Sequence, residues 1–343
     1  MFASEYFLIL MGREMRRREF VGLIGGVAAW PLAARAQQDG RVRRVGVLMG
    51  FAQDDQESLA RIGAFKQGLA AAGWIEGRNL SVDVRWAGPN VARQREAARD
   101  LISLMPEVVL ATSTTVTQAL RENTDRIPIV FVGLADPVIT KVVSNLARPE
   151  GNVTGFMSFE YSLSEKWLSL LKDMTPGLKR VAVLFNPDSA PFAPFYLHAA
   201  HEAGQRLGLD VLAASVRNSA EIEPAIASLA GSGDGGLFIL PHPFAVPNRS
   251  QTILLTAKYR VVAMYYARFF VTEGGLMSYG PDVRVAYRDG ATYVDRILHG
   301  VKPADLPVQF ATKFELAINL KTAKALGLTV SQDLVSIADE LIE

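Results

Sequence analysis

From residue 42 onward, short apolar runs alternate with segments whose apolar residues recur every three or four positions. The runs VRRVGVLMG (42–50), LSVDVRWA (80–87), VVLAT (108–112) and PIVFVG (128–133) read as strands. Helical periodicity falls between them, near 56–73, 91–104 and 113–124. Leu59, Ile62, Phe65 and Leu69 are expected to form one core-facing stripe of the first helix. Nearly continuous β-rich runs separated by amphipathic helices predict a parallel sheet covered on both faces. The pattern then restarts: KRVAVLFN (179–186) echoes RRVGVLMG (43–50), followed by a helix near 191–207 and strands at 209–216, 235–241 and 261–266. The expected fold class is therefore α/β, with two similar doubly wound lobes. Gly and Pro gather in GNVTGF (151–156), GGLMSYGPD (274–282) and VKPADLPVQF (301–310), which read as seams. FELAINLKTAKALG (314–327) adds a further strand and helix after the last seam. The chain is thus expected to cross between lobes more than once.

Composition narrows the chemistry. There are no cysteines among the 343 residues, which excludes disulfide scaffolds, thiolate metal sites and cysteine nucleophiles. Residues 1–36 carry five Arg and three Glu; without them, 31 basic residues face 32 acidic ones, so nucleic acid has no electrostatic footprint to bind.

Residues 15–37 read MRRREFVGLIGGVAAWPLAARAQ: three arginines, an apolar run from Phe20 to Leu32, then Ala34-Arg35-Ala36. That is the layout of a secretory signal peptide with cleavage expected after Ala36, and Arg17-Arg18 resembles a twin-arginine signal. The run is shorter than the roughly 20 residues a spanning helix needs. Met15 is the expected true start.

In parallel sheets, ligands sit beyond the carboxyl ends of strands, where loops lead into helix N-termini. The residues expected there are Gln53, Asp54 and Asp55 in the first half, Ser113 and Thr114 after VVLAT, and Asp136 after PIVFVG. The second half supplies Asn186, His242 and Phe244, Tyr265 and Tyr266 at the end of VVAMYY, and Tyr279 at the end of the strand GLMSYG. Any one Ser or Thr in such a place can be a plain helix N-cap; the convergence is what suggests a polar, aromatic-lined ligand site. Catalysis has less support. There is no G-x-S-x-G elbow, no dinucleotide or nucleoside triphosphate loop, and of four histidines only His242 stands at a strand end. His198, His201 and Glu202 lack a further metal ligand, so no metal and no cofactor are expected.

The segments IPIVFVGLADPV (127–138), LARPEGNVTGF (146–156), GGLMSYGPD (274–282), YVDRILHGVKPADLPVQ (293–309) and TKFELAINLKTAKALGLTV (312–330) resemble the bacterial ABC-transporter substrate-binding proteins whose better-known members take up tryptophan or tyrosine. The resemblance implies a type I periplasmic-binding fold, with two lobes joined by a multi-strand hinge and a cleft that closes on a small molecule. It places lobe one at 41–154 with 276–308, and lobe two at 155–275 with 309–343. It also implies a periplasmic, monomeric receptor that delivers its ligand to an inner-membrane permease with a cytoplasmic ATPase. A sensory module signalling to a membrane receptor shares the fold, and a hydrolase using Ser113 and His242 is a more distant alternative. Two departures bear on the ligand: relatives usually carry Asp where this chain has His242, and often an acid where it has Val285. The loss of two carboxylates argues against a ligand amine and for a carboxylate or aromatic acid.

Overall fold

The computed structural model describes residues 41–343 except Ser232; the expected export segment lies outside them. The first lobe opens with β1 (Arg43–Met49), α1 (Gln56–Ala71), β2 (Leu80–Trp86), α2 (Val91–Ser103), β3 (Val108–Ala111), α3 (Thr114–Arg121), β4 (Ile129–Ala135) and β5 (Val153–Phe159). The chain then enters the second lobe through α4 (Leu163–Met174), β6 (Arg180–Phe185), α5 (Ala193–Leu207), β7 (Asp210–Ser215), α6 (Ile222–Ala227), β8 (Gly235–Ile239), α7 (Arg249–Lys258), β9 (Val262–Tyr265), α8 (Arg268–Thr272) and β10 (Met277–Gly280). Helix α9 (Val283–Leu298) returns to the first lobe with β11 (Gln309–Phe310). The chain ends in the second lobe with β12 (Glu315–Asn319), α10 (Leu320–Leu326), α11 (Gln332–Ile337) and β13 (Glu340–Ile342).

The sheets are ordered β11-β5-β4-β3-β1-β2 and β13-β12-β10-β9-β8-β6-β7. Every pairing in the first is parallel, as for β1 with β3 (Val45 beside Val108), and in the second only β10 with β12 is antiparallel. Burial on both faces explains why the strands read as unbroken apolar runs. One face of the first sheet packs Val45, Val47 and Leu110 against Phe65 and Leu69 of α1 and Ala291 and Val294 of α9. The other packs Leu48, Val109 and Phe131 against Leu101 of α2 and Val116 and Leu120 of α3. The second lobe is centred on Trp167, Phe238 and Met264.

Two expectations are corrected. Leu59 is exposed, and the buried face of α1 is Ser58, Arg61, Ile62, Ala64, Phe65 and Leu69, which puts a cation in the stripe. The expected seam at 151–156 contains strand β5, whereas β10 falls within GLMSYG, where a strand was expected. Their glycines serve close approach: a Cβ at Gly155 would stand 2.0 Å from the Phe131 carbonyl oxygen, and one at Gly280 would stand 1.9 Å from that of Tyr266. The passages between sheets follow β5, β10 and β11, which end at Phe159, Gly280 and Phe310, where boundaries at 154/155, 275/276 and 308/309 were expected. Among the described residues, no helix is long and apolar enough to cross a membrane.

Candidate functional site

The carboxyl ends of β1, β3 and β4 face those of β6, β8 and β9 across a narrow cavity that is partly open to solvent. Both lobes line it: Phe51, Arg61, Thr114 and Tyr287 from the first, Ser189, His242 and Tyr266 from the second. Phe159, at the end of β5, meets the Tyr266 ring edge-on at 5.6 Å, closing the cavity on the hinge side.

The hydroxyls after β3 have separate tasks. Thr112 ties two strands together, donating to the Leu48 carbonyl at 3.0 Å and accepting from the Gly50 N–H at 2.9 Å. Ser113 is the N-cap of α3, its Oγ accepting from the Val116 N–H at 3.3 Å while it also lines the cavity. Thr117 Oγ1 donates to the Ser113 carbonyl at 2.8 Å and belongs to the helix. Thr114, 3 % exposed, has a hydroxyl with no partner. Three other cavity residues share that condition: Arg61 through Nη2, His242 through Nε2 and Tyr287 through Oη, the last with the Thr112 and Arg61 side chains nearby but in no close hydrogen bond. Buried polar groups are ordinarily hydrogen-bonded, and each one left without a partner costs about 1–3 kcal/mol. Four such atoms around one cavity mark it as a place where something polar docks.

Arg61 stands at the centre. Its Nε lies 3.3 Å from a Glu57 carboxylate oxygen, and its guanidinium sits 4.5 Å from the Phe51 ring centroid and 5.7 Å from that of Phe269 in the second lobe. Rings from both lobes thus hold the cation flat. Burial pushes the Tyr287 phenol up, against the opposing effect of the Arg61 charge, so Tyr287 remains a neutral donor. Burial alone depresses His242 to about 3, leaving a neutral imidazole at ordinary pH. Ser189 Oγ lies 3.3 Å from His242 Nδ1, and Phe244 stacks beneath the ring at 6.0 Å.

Of the residues expected from the sequence, the structure brings Ser113, Thr114, His242 and Tyr266 together in the lining. The others stand elsewhere. Gln53 and Asp54 are exposed, and the same loop sends Phe51 into the cavity instead. Asp55 caps α1 through the Ser58 N–H and reaches across to Arg249 of the second lobe. Asp136 closes a turn by accepting from the N–H groups of Val138 and Ile139 at 2.9 and 3.1 Å. Asn186 accepts from the N–H groups of Asp188 and Ser189 and donates to the Arg217 carbonyl, so it shapes the turn that presents Ser189. Phe244 is buried behind His242. Tyr265 points into the second-lobe core, its hydroxyl 3.1 Å from Thr256 Oγ1 and its ring stacked on Phe270. Tyr279 stacks on Phe314 at 5.8 Å, away from the cavity. Val285 lies on the exposed side of α9, outside the lining, so the acid missing there has no bearing on this cavity.

Arg61, Tyr287, Ser189 and Phe51 escaped the strand-end argument. For Arg61 a signal was present: it falls in phase with Ser58, Ile62, Phe65 and Leu69, and a cation on a helix's buried face requires a partner inside. Among the described residues there is no cluster of three or more potential metal ligands.

Residues 45–342 match the family model of the ABC transporter substrate binding protein. A tyrosine-binding protein of Clostridioides difficile is 26 % identical over 265 residues, covering 77 % of this chain and 75 % of that one. A conserved domain protein from Vibrio cholerae superposes with a TM-score of 0.81 at 28 % identity, over 88 % of this chain and 100 % of the other. A Streptococcus ABC domain solved in complex with L-Trp gives 0.78 at 21 % identity, over the same shares. The family consists of binding proteins rather than enzymes, and this chain, with two parallel-sheet lobes meeting over an aromatic-walled cavity, belongs to the ABC transporter substrate-binding protein family.

Proposed function

We propose that the protein is the extracytoplasmic receptor of an ABC uptake system and closes its two lobes over a small polar or aromatic metabolite, an amino acid or a carboxylate. The observation that carries this reading is the set of four buried polar atoms without partners, contributed by both lobes to one cavity. A ligand bonded to Arg61, Thr114 and Tyr287 on one side and His242 on the other has its full contact set only when the lobes meet. Ligand therefore favours closure by its difference in affinity for the two forms. The closed face would be read by an inner-membrane permease powered by a cytoplasmic ATPase, and the arginine-led N-terminal segment would direct export to the periplasm. The proteins of known ligand described above, one tyrosine-binding and one holding L-Trp, support an aromatic ligand.

Thermal shift of the purified protein against amino acids, aromatic acids, sugars and polyamines tests the reading. A ligand at 100 times its Kd adds about 2.7 kcal/mol of stability, roughly 5 °C for a protein of this size. Small-angle scattering should show a more compact particle with the same ligand. A hit that stabilises without compaction would speak against cleft closure, and no hit among the four classes would speak against a receptor.

A further inference from the structure

The cavity wall carries a single formal charge. Of its sixteen lining residues, Arg61 is the only one that is charged; there is no Asp or Glu, and His242 is neutral by burial. The nearest acids are already engaged, Glu57 with Arg61 itself. Glu57 faces Arg61 Nε from outside the cavity, where it borders a separate hollow with Arg268 and Arg284. Asp55 pairs with Arg249. Asp136 follows the lining residue Ala135, but its Oδ1 closes the turn at Val138 and Ile139, and it is not part of the wall.

An α-amino acid brings an ammonium and a carboxylate together. A carboxylate here would find Arg61 Nη2, a charge-assisted donor 4 % exposed overall, with the hydroxyls of Thr114 and Tyr287 as further donors. An ammonium would find hydroxyls, an imidazole and a neighbouring cation, with no anion to neutralise it. Moving an ammonium from water into such a place is unfavourable. The remaining wall is flat and apolar: Phe51, Phe159, Phe192 and Tyr266 supply rings, and Pro241 and Pro243 the far side.

We propose that the physiological ligand is an aromatic or similarly flat carboxylate without a charged amine, its carboxylate anchored on Arg61 Nη2 and its ring held between the aromatic walls. This rests on the receptor reading and narrows its substrate class.

Calorimetric titration of the purified protein with four compounds sharing the p-hydroxyphenyl ring separates the two charges: hydroxyphenylpropionate (acid only), its primary amide (neither), tyramine (amine only) and L-tyrosine (both). Benzoate, phenylacetate and indolepropionate extend the acid arm over ring size. At least one acid should bind, and hydroxyphenylpropionate should bind at least tenfold more tightly than its amide and than L-tyrosine, with tyramine weakest. Arg61→Met should abolish that tenfold preference for acid over amide. Should this variant fail to fold, the acid-to-amide ratio on the unaltered protein still decides the point. L-Tyrosine or tyramine binding more tightly than the acid overturns the inference and leaves the receptor reading standing. The same holds if no acid binds but another metabolite class does. If acid and amide bind equally, or Arg61→Met keeps the preference, the anchor is misassigned. If nothing in either panel binds, both readings fall together.

Discussion

Asp55→Asn should loosen closure without unfolding either lobe. Asp55 N-caps α1 with Oδ1, and its Oδ2 meets the Arg249 guanidinium at the start of α7 in the other lobe. The two side chains are 9 % and 13 % exposed, so this is a nearly buried ion pair spanning the cleft. Asn is as good an N-cap as Asp, so the substitution removes the charge and keeps the helix start. Breaking a fully buried pair costs about 3–5 kcal/mol because the survivor is stranded. Arg249 is not stranded: its Nε lies 2.7 Å from Glu273, and Nη1 donates to the Val246 carbonyl at 2.7 Å. Exposed pairs contribute about 0.2–1 kcal/mol, which places this one between the limits, at about 1–2 kcal/mol. That corresponds to about 5–30-fold in the closing equilibrium. Two measurements read it. Where the free protein rests open, ligand affinity measured by calorimetry drops by that factor; where it rests closed, the radius of gyration of the free variant increases. Burial pushes the Asp55 carboxyl up, but the Ser58 N–H and the Arg249 hydrogen bond and charge outweigh it and leave it below its ordinary 3.8. A depressed carboxyl contributes above its ordinary value and loses that contribution only as pH falls through the lowered one, so the pair should work unchanged from pH 5 to 8. If neither affinity nor radius moves, or if Asp55→Asn and Arg249→Gln add without coupling in the double variant, the pair does not hold the cleft.

Thr114→Val should leave the melting temperature unchanged or slightly raised, since it deletes a buried hydroxyl that has no partner, yet weaken ligand binding about 3–10-fold through one lost hydrogen bond. Ser113→Ala should instead cost about 1 kcal/mol of stability, because it removes the α3 cap; unchanged affinity in the double Ser113→Ala, Thr114→Ala variant would reduce the stretch to a cap alone. His242→Gln should flatten the acid limb of the stability curve. The folded protein holds His242 near 3 whereas the unfolded chain titrates near 6.5, so the unfolded state binds the extra proton between those values and stability declines as pH falls below 6.5. The slope from this group approaches about 1.4 kcal/mol per pH unit, so the unfolding free energies of parent and variant from urea titration should diverge by about 2 kcal/mol between pH 7 and pH 5; parallel curves would mean the imidazole is hydrated or protonated when folded.

The strand-helix alternation was legible because strands buried on both faces carry unbroken apolar runs, and β1, β3, β6 and β8 fall where those runs do. β5 was harder to see for a steric reason: Gly155 looks like loop punctuation, yet it stands where the backbone of the neighbouring strand β4 leaves no space for a Cβ. At the site, the loops that face the cavity could be listed from strand ends, but which side chain of each loop turns inward could not. Asn186 and Asp136 direct their oxygens at their own turns, and Phe51 and Ser189 take the inward places a few residues away. Arg61 and Tyr287 lie on the helices α1 and α9, which no strand-end rule inspects. They come together because α9 crosses back from the second lobe to pack against α1 across more than 200 residues of chain.

The four unpartnered atoms and the Asp55–Arg249 pair act on closure in opposite directions. In an open cleft, bulk water satisfies Arg61 Nη2, Thr114 Oγ1, Tyr287 Oη and His242 Nε2; in a closed cleft without ligand only the water the cavity retains can do so, at a cost of about 1–3 kcal/mol for each bond lost. The interlobe ion pair opposes that cost with only about 1–2 kcal/mol. Closure without ligand is therefore unfavourable by a margin that a few directed hydrogen bonds can reverse. A ligand that lacks any one of those bonds leaves part of the penalty standing, so the same atoms that keep the empty cleft open also select what shuts it. On this balance, removing the Thr114 hydroxyl should weaken ligand binding and also make the empty protein close more readily. An open-cleft scattering profile that persists unchanged in Thr114→Val would assign the resistance to closure to the hinge strands rather than to the cavity.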